Sequence, residues 1–249
     1  MTYCVAIWLK KGIVFCSDSR TNAGVDQIST YSKMHRFGRE GDRQFCILTA
    51  GNLATTQAVI AQLKKDIDES GKRSLMTVTT VDEAADYLGE VTVSKQQRYA
   101  QSFEGGYEAS FLLGGQIHGD THKVMLVYPQ GNHINTSQDT LFLQIGESKY
   151  GKPMLDRIIT PDTPMETAAV CALVSMDSTM RSNLIVGPPI ELLVYEADHF
   201  VFDHYCRFEH DNKYLHELKL AWHAKLKEAF RTLPPLDWAA TEGKYQECN

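Results

Sequence analysis

Short apolar runs separated by turn residues fill the first fifty positions of the chain. Residues 3–9 and 13–17 flank the turn sequence Lys10-Lys11-Gly12, and this arrangement predicts a β-hairpin that starts at the second or third residue. Apolar runs at residues 32–37 and 44–49 predict two further strands. The N-terminal part of the chain is therefore predicted to form four strands.

The periodicity becomes helical after residue 51. Between residues 59 and 67 the apolar side chains recur with helical spacing, which predicts a helix that begins near Asn52. A second helix is predicted from Thr80 to about residue 103, because Thr80 and Glu83 have the spacing of a capping box. Two helices thus follow the first group of strands.

The second half of the chain repeats this grouping. Thr163, Pro164 and Glu166 have the order of an N-cap, a first helical residue and a third helical residue, so a helix is predicted to run from there to about Asp177. The other elements are predicted as strands at residues 109–118, 123–128, 140–145, 190–196 and 200–207, a short helix near 153–159, and a last helix from about residue 212.

Grouped strands and paired helices do not fit a doubly wound parallel sheet, in which the two kinds of element alternate. The pattern instead predicts an α+β fold, a four-layer αββα sandwich of two antiparallel sheets between helical layers. With 249 residues and no linker-like stretch, we expect one domain over residues 1–209. Residues 210–249 are predicted to be a helical appendage, packed on the same domain or at a subunit interface.

Composition narrows the function classes. The formal net charge of −6 and the lack of a basic, aromatic-rich cluster disfavour a nucleic-acid partner. No apolar stretch of about 18 residues predicts a membrane span, and the N-terminus lacks the order of a signal peptide. The scattered cysteines and the absence of a Cys-x-x-Cys pair are typical of reduced thiols. We therefore expect a cytoplasmic protein without a membrane partner.

The second residue is a candidate nucleophile. Removal of Met1 ahead of a small residue is expected, and it would leave a hydroxyl and a free α-amine together on Thr2. A hydroxyl attacks poorly unless a base takes its proton, and an α-amine has an ordinary pKa of about 7.7–8.0. Thr2 could supply both groups, but its position alone does not distinguish it from an ordinary second residue.

Two charged residues support this role for Thr2. Asp18 follows the second strand of the hairpin, whose register brings it near the N-terminus, and Lys33 lies on the next predicted strand. Each has an ordinary alternative, because Asp18 could end a solvated strand and Lys33 could be a surface lysine. Their order along the chain is more informative than either residue.

Taken together, these features resemble the β-subunits of proteasomes. Such subunits begin with Thr, followed by a hairpin, an Asp-Ser-Arg element, a Thr-x-Ala-Gly turn and a lysine before an apolar strand. The family usually places two lysines there and this chain has one, so the alignment needs a one-residue deletion. The matching features, over roughly residues 2–207, are Thr2, Asp18-Ser19-Arg20, residues 21–24, Lys33-Met34, Thr49-Ala50-Gly51, Gly114-Gly115, Pro129-Gln130-Gly131 and Gly146-Glu147-Ser148.

Within that family the chain looks most like the bacterial ancestral β-subunit (Anbu) branch. The segments that carry this closer resemblance are residues 20–30, residues 177–184 and the extended C-terminal tail. The resemblance implies an N-terminal nucleophile hydrolase fold and a homo-oligomer that is a ring or an open ring-like assembly. Whether a separate unfoldase feeds that assembly stays open.

The resemblance also implies a role for each matching residue. Thr2 would be the nucleophile, the Lys33 ammonium would favour the deprotonated forms of its hydroxyl and amine, and Asp18 would hold Lys33 charged and oriented. The backbone N–H of Gly51, at a helix N-terminus, would stabilise the oxyanion. Thr49 and Leu53 would line the pocket for the residue before the scissile bond, and would make it mid-sized and uncharged.

The supporting residues match the family less well. The family's Gly-Ser-Gly stands here as residues 146–148, so Ser148 could supply the hydroxyl or merely cap the following helix. The family's Asp-x-x-Ser-Gly is also broken, since Met180 stands three residues after Asp177. The resemblance therefore implies only possible supporting roles for a set of side chains from both halves of the chain: Arg20, Ser148, Asp177, Ser178 and Ser182.

Three functions are consistent with these residues. The first is a threonine endopeptidase that acts on peptides or unfolded proteins through an acyl-enzyme on Thr2. The second is an N-terminal nucleophile amidase or acylase that acts on small amides, since related hydrolases cleave many amides on one architecture. The third is an inactive assembly module. No zinc-binding or phosphate-binding motif is present, so no metal or cofactor is predicted.

Overall fold

The computed structural model of the protein describes residues 2–22, 28–69, 71–100 and 106–236. The parts outside these ranges include Met1, residues 23–27 with the Ala-Gly end of the Thr-x-Ala-Gly element, the predicted end of the second helix and the last cysteine, Cys248. The chain divides into two compact units, Met1–Asn212 and Lys213–Asn249.

The first unit contains most of the secondary structure. Its helices are α1 Leu53–Asp68, α2 Val81–Ala100, α3 Ser148–Ile158 and α4 Met165–Ser182. Its strands are β1 Tyr3–Leu9, β2 Gly12–Asp18, β3 Arg20–Asn22, β4 Ile28–Thr30, β5 Met34–Arg39, β6 Arg43–Gly51, β7 Ala109–Ile117, β8 Lys123–Val127, β9 His133–Asn135, β10 Phe142–Gly146, β11 Ile190–Glu196 and β12 His204–Phe208.

Two five-stranded antiparallel sheets form the centre of this unit. The first has the order β10-β1-β2-β11-β12 and the second β5-β6-β7-β8-β9, while β3 and β4 form a separate two-stranded ribbon. The predicted N-terminal hairpin is present, with Leu9 opposite Gly12 and Cys4 opposite Ser17. This register places the end of β2 beside the start of β1, where Thr2 lies.

Apolar cores hold the layers together. One core lies between the sheets and includes Phe15, Leu48 and Leu112. The other lies between the second sheet and helices α1 and α2, and includes Phe45 and Leu88. Helices α3 and α4 pack on the outer face of the first sheet. The predicted four-layer αββα sandwich of the α+β class is confirmed.

Helix α4 differs from its prediction at both ends. Thr163 does not cap it, because its hydroxyl takes part in a turn in which the Thr160 N–H donates to Thr163 Oγ1 at 2.8 Å. Pro164 is the N-cap residue, without a side-chain hydrogen bond. The helix continues to Ser182 instead of ending near residue 177, since Thr179 is still buried and donates its hydroxyl to Ser175 O at 2.9 Å.

Strand β12 begins four residues later than predicted. Asp198 and Phe200 have φ angles of 66° and 51°, which extended strands do not adopt. The apolar run that starts at residue 200 therefore belongs to a turn, and the strand begins only at His204. Local apolar pattern does not reveal such backbone angles.

The second unit contains helix α5, Lys213–Arg231. None of its residues is buried, and its large apolar side chains Tyr214, Leu220 and Phe230 are exposed. The surface that covers these side chains stays a prediction. In the described ranges of both units, no helix combines the length and the apolar character needed to cross a membrane.

Candidate active site

Thr2 is held between the strands on either side of it. Its carbonyl oxygen accepts a 2.8 Å hydrogen bond from the backbone N–H of Glu147, just after β10. The next residue, Tyr3, donates its backbone N–H to Asp18 Oδ1 at 3.0 Å, at the end of β2. The buried Tyr3 hydroxyl also lies 2.6 Å from Ser175 Oγ on α4. These contacts fix the backbone of Thr2 within the first sheet.

Asp18 and Lys33 form a buried ion pair next to Thr2. Lys33 Nζ lies 2.7 Å from Asp18 Oδ1 and donates a second 2.7 Å hydrogen bond to the carbonyl oxygen of Arg20. Burial raises the pKa of the Asp18 carboxyl, and the Lys33 ammonium opposes that rise, as do the backbone N–H groups of Tyr3 and Gly187. The pair is therefore held by directed hydrogen bonds on both partners.

Lys33 reaches this position because it lies directly before β5. Its carbonyl oxygen accepts the N–H of Thr49 at 3.0 Å, so the lysine backbone is tied to β6 of the second sheet. Asp18 belongs to the first sheet, where β2 lies between β1 and β11. The ion pair thus connects the two sheets at the edge where Thr2 lies.

These residues border a cleft of about 370 Å³. Five residues from the sequence prediction line it, namely Thr2, Lys33, Thr49, Gly51 and Leu53. The lining also contains Thr21, Ala50, Thr56, Gly146 and Glu147. The cleft therefore has the candidate nucleophile and the lysine on one side and the end of β6 with the start of α1 on the other.

Gly51 lies at the junction between β6 and α1. Its φ angle is 108°, and a Cβ atom there would lie 2.3 Å from the carbonyl oxygen of Glu108. The following residue, Asn52, caps α1 by accepting the N–H of Thr55 at 3.1 Å. Only glycine fits this junction without strain, and it leaves the N-terminus of α1 open to the cleft.

The supporting residues from the second half of the chain lie in other positions. Ser148 is the first residue of α3 and does not line the cleft. On α4, the Ser178 hydroxyl donates to Val174 O at 3.0 Å, Ser182 is the exposed last residue, and Asp177 is partly exposed. Their proposed supporting roles remain predictions.

Arg20 contacts Lys33 through its backbone and the loop after α4 through its side chain. Its carbonyl oxygen accepts from Lys33, and its guanidinium donates to the carbonyl oxygen of Leu184 at 2.7 Å. The same loop brings the N–H of Gly187 to 3.3 Å from Asp18 Oδ2. The loop between α4 and β11 thereby contacts both residues that hold Lys33.

Sequence reasoning missed three contributors. Glu147 lines the cleft, although Ser148 was the residue considered. Gly187 acts through its backbone N–H, which no side-chain motif reveals. Glu191 is a buried carboxylate on β11 whose partners include Ser19 and Ser32, the neighbours of Asp18 and Lys33. Its charge between the apolar residues Ile190 and Leu192 was a signal that could have identified it.

A metal site does not form in the described ranges, where no three side chains of the types His, Cys, Asp and Glu are grouped to hold an ion. The chemistry available in the cleft is that of a hydroxyl, an ammonium, a buried carboxylate and backbone N–H groups. This set suits the attack of a hydroxyl on a carbonyl carbon.

Comparison with known proteins places these features in context. The family model described as Proteasome subunit matches residues 2–195. No curated protein matches the chain.

Among solved structures, Anbu from Yersinia bercovieri has 44% sequence identity and a TM-score of 0.90, with 94% of this chain and 99% of that chain covered. The helical assembly of the Anbu complex from Pseudomonas aeruginosa has 46% identity and a TM-score of 0.91, with 95% and 99% covered. Anbu from Hyphomicrobium sp. strain MC1 has 39% identity and a TM-score of 0.87, with 94% and 99% covered.

Proposed function

Because this chain belongs to the proteasome family, as a member of its Anbu (ancestral β-subunit) group, we propose that it is a threonine-type endopeptidase. It would hydrolyse peptide bonds through an acyl-enzyme on Thr2, once Met1 has been removed. The observation that carries this proposal is the position of Thr2, Lys33 and Gly51 around one cleft, with Asp18 paired to Lys33 behind it.

The first step is attack by Thr2. Its hydroxyl oxygen bonds to the carbonyl carbon of the substrate, and its own α-amine takes the hydroxyl proton. The Lys33 ammonium lowers the energy of the negative charge that develops on the hydroxyl oxygen. Asp18 keeps that ammonium charged and directed, because a buried cation without a partner is costly.

The carbonyl oxygen of the substrate becomes an oxyanion as the bond forms. The N–H of Thr49 on β6 donates to Lys33 O, on the side of β5. The N–H of Asn52, directly after β6, donates to Glu108 O, on the opposite side next to β7. Since N–H groups alternate sides along a strand, the Gly51 N–H points the same way as that of Thr49, toward the cleft. A donor there stabilises an oxyanion that forms above Thr2.

The remaining steps return the enzyme to its starting state. The tetrahedral intermediate collapses, the C–N bond breaks, and the α-ammonium gives its proton to the leaving amine. The acyl group is then an ester on Thr2. A water molecule attacks this ester while the α-amine takes the water proton. The bond between the acyl carbon and the Thr2 oxygen then breaks, the α-ammonium returns its proton to that oxygen, and the product acid leaves.

The pocket composition suggests the preferred substrate. Thr49, Leu53 and Thr56 border the cleft with uncharged side chains of small to medium size. We therefore assign a preference for a mid-sized, uncharged residue before the scissile bond. Peptides and unfolded chains would be the substrates, and small acyl amides are the alternative.

Assembly and location are also part of the proposal. The related chain from P. aeruginosa forms a helical assembly of the Anbu complex, and we propose that this chain also forms a homo-oligomer in the cytoplasm. Residues 1–209 would be the peptidase domain. Residues 210–249 would contribute the appendage, with the exposed apolar side chains of α5 covered within the domain or by a neighbouring subunit.

Peptide cleavage by mass-verified protein tests the proposal. Protein whose intact mass lacks Met1 should cleave a fluorogenic peptide library, and Thr2→Ala should abolish that cleavage. Thr2→Ser is the matched control, because serine keeps both the hydroxyl and the α-amine. Cleavage of short acyl amides in place of peptides would support the amidase alternative. If wild type and Thr2→Ala showed the same lack of cleavage of peptides and of acyl amides, the inactive assembly module would remain.

A further inference from the structure

We propose that Glu191 is a positioning residue for the Lys33–Asp18 pair, which gives it a part in catalysis without contact with the substrate; its catalytic consequence rests on the proposed function above. Glu191 lies on β11 and is buried, with 2% of its surface exposed. It does not line the cleft, so any effect must pass through its neighbours.

The Glu191 carboxylate accepts hydrogen bonds from three hydroxyl groups. Ser19 Oγ donates at 3.0 Å and Ser32 Oγ at 2.8 Å to Oε2, and Tyr205 OH donates at 2.7 Å to Oε1. Ser32 Oγ also lies 3.1 Å from Oε1. A single side chain on β11 is therefore bonded to three separate segments of the chain.

Two of these donors are the immediate neighbours of the ion pair. Ser19 follows Asp18 at the end of β2, and Ser32 precedes Lys33 at the start of β5. Through these two serines, the Glu191 carboxylate connects the segment that carries Asp18 with the segment that carries Lys33. A displacement of either serine would shift Asp18 or Lys33, whose nitrogen and oxygen atoms lie only 2.7 Å apart.

The nature of the partners argues for a role beyond packing. Within the described ranges, Glu191 has no ion pair with a lysine, arginine or histidine. A buried carboxylate bonded to neutral groups costs more free energy than an apolar residue of similar size. The neighbouring β11 residues Ile190, Leu192 and Leu193 are apolar, so an apolar residue at 191 would suit the strand. The carboxylate provides what such a residue cannot, namely acceptors for both serines.

The third donor supplies a matched comparison. Ser19→Ala and Tyr205→Phe each remove one hydroxyl from the same carboxylate, but only Ser19 is bonded to the segment that carries Asp18. A purely structural carboxylate would respond alike to both substitutions. If the carboxylate positions the ion pair, Ser19→Ala would displace Asp18 and Lys33, and Tyr205→Phe would not.

The experiment measures the ion pair directly and then its catalytic consequence. The first readout is the acetylation rate of Lys33 under pulse labelling, measured by peptide mass spectrometry, with exposed Lys10 as an internal standard. We expect Glu191→Leu and Ser19→Ala to raise the Lys33 rate about threefold or more, because a displaced ammonium becomes accessible. Tyr205→Phe should leave it within about twofold of wild type.

The second readout is steady-state cleavage of the best peptide by the same proteins. Ser19→Ala should lower kcat about tenfold with KM nearly unchanged, and Glu191→Gln, which keeps one acceptor oxygen, should recover part of the loss seen in Glu191→Leu. Equal Lys33 rates and equal kcat values in Ser19→Ala and Tyr205→Phe would overturn the proposal.

The two readouts separate this inference from the proposed function. If the wild type cleaves no substrate but Lys33 protection still depends on Glu191 and Ser19, the endopeptidase function fails and the positioning role stands. If the enzyme is active and Lys33 protection is insensitive to both, the positioning role fails alone. Ser19→Ala keeps the test decisive even where Glu191→Leu does not fold.

Discussion

Lys33 Nζ and Asp18 Oδ1 lie 2.7 Å apart, with the two side chains 8% and 0% exposed. Asp18, at the end of β2, and Lys33, directly before β5, are fifteen positions apart in sequence and form one buried ion pair. The Tyr3 N–H donates to the same Asp18 oxygen, which joins the pair to the residue after Thr2.

Asp18→Asn should remove both stability and activity. It leaves the Lys33 ammonium buried with only a neutral partner, and breaking a buried pair in this way typically costs about 3–5 kcal/mol. We expect kcat for peptide cleavage to fall about a hundredfold or more. Urea unfolding and steady-state kinetics measure the two effects.

The control for Asp18→Asn is an exposed ion pair of similar length. Lys10 Nζ lies 2.8 Å from Asp162 Oδ1, with both side chains largely exposed. Asp162→Asn should change neither unfolding nor kcat measurably, because water screens such pairs. If Asp18→Asn behaved like Asp162→Asn, Lys33 would not need its carboxylate partner.

Gly51→Ala should damage catalysis through the backbone. The alanine Cβ would lie 2.3 Å from Glu108 O at a φ angle of 108°, so the junction between β6 and α1 has to move. Loss of an aligned oxyanion donor typically lowers kcat about a hundredfold or more. Steady-state kinetics on the best peptide substrate gives this value.

Gly71→Ala is the control for Gly51→Ala, because it introduces strain in a left-handed backbone away from the cleft. Gly71 has a φ angle of 83°, but nothing lies within 4 Å of a Cβ atom built there. It should cost about 1 kcal/mol of stability, owing to the left-handed backbone, and leave kcat unchanged. Equal kcat values for the two variants would argue against Gly51 as the oxyanion donor.

His35 should make stability depend on pH below neutrality. Desolvation by burial, together with the charge of Lys64, lowers its pKa to about 4, against the opposing charge of Glu191. Because the folded pKa lies below the unfolded value, the contribution of a neutral His35 is fully present above about pH 6.5 and is lost as pH falls toward 4.

The His35 contribution can be isolated by substitution. Between pH 7 and pH 5, the free energy of unfolding should fall by about 1–2 kcal/mol more in wild type than in His35→Gln. Urea unfolding at both pH values gives the comparison, and the other titrating groups cancel between the two proteins. Equal pH dependence in both would assign the effect to other groups.

Local features of this fold were predictable from the sequence. The hairpin of β1 and β2 follows from two apolar runs around a short turn, and its register alone brings Asp18 to the N-terminus. The helix that begins after Asn52 follows from apolar periodicity. These elements involve residues close together in the chain, so pattern and turn chemistry determine them.

Contacts between distant segments could not be predicted in the same way. Gly187 and Glu191 reach the site only because β11 pairs with β2, which places Ile190 opposite Asp18 across 172 positions of sequence. The position of Glu147 in the cleft depends likewise on the pairing of β10 with β1. Apolar pattern predicts that strands form, but not which strands become neighbours.

The most direct test of the central claim is the site of acylation. Met1-free protein treated with an activated acyl substrate and quenched with acid should contain one acyl ester, located on Thr2 by peptide mass spectrometry. Thr2→Ser should contain the same ester on residue 2, and Thr2→Ala should contain none. An adduct that persists in Thr2→Ala, or its absence from a wild type that still cleaves peptides, would contradict the account.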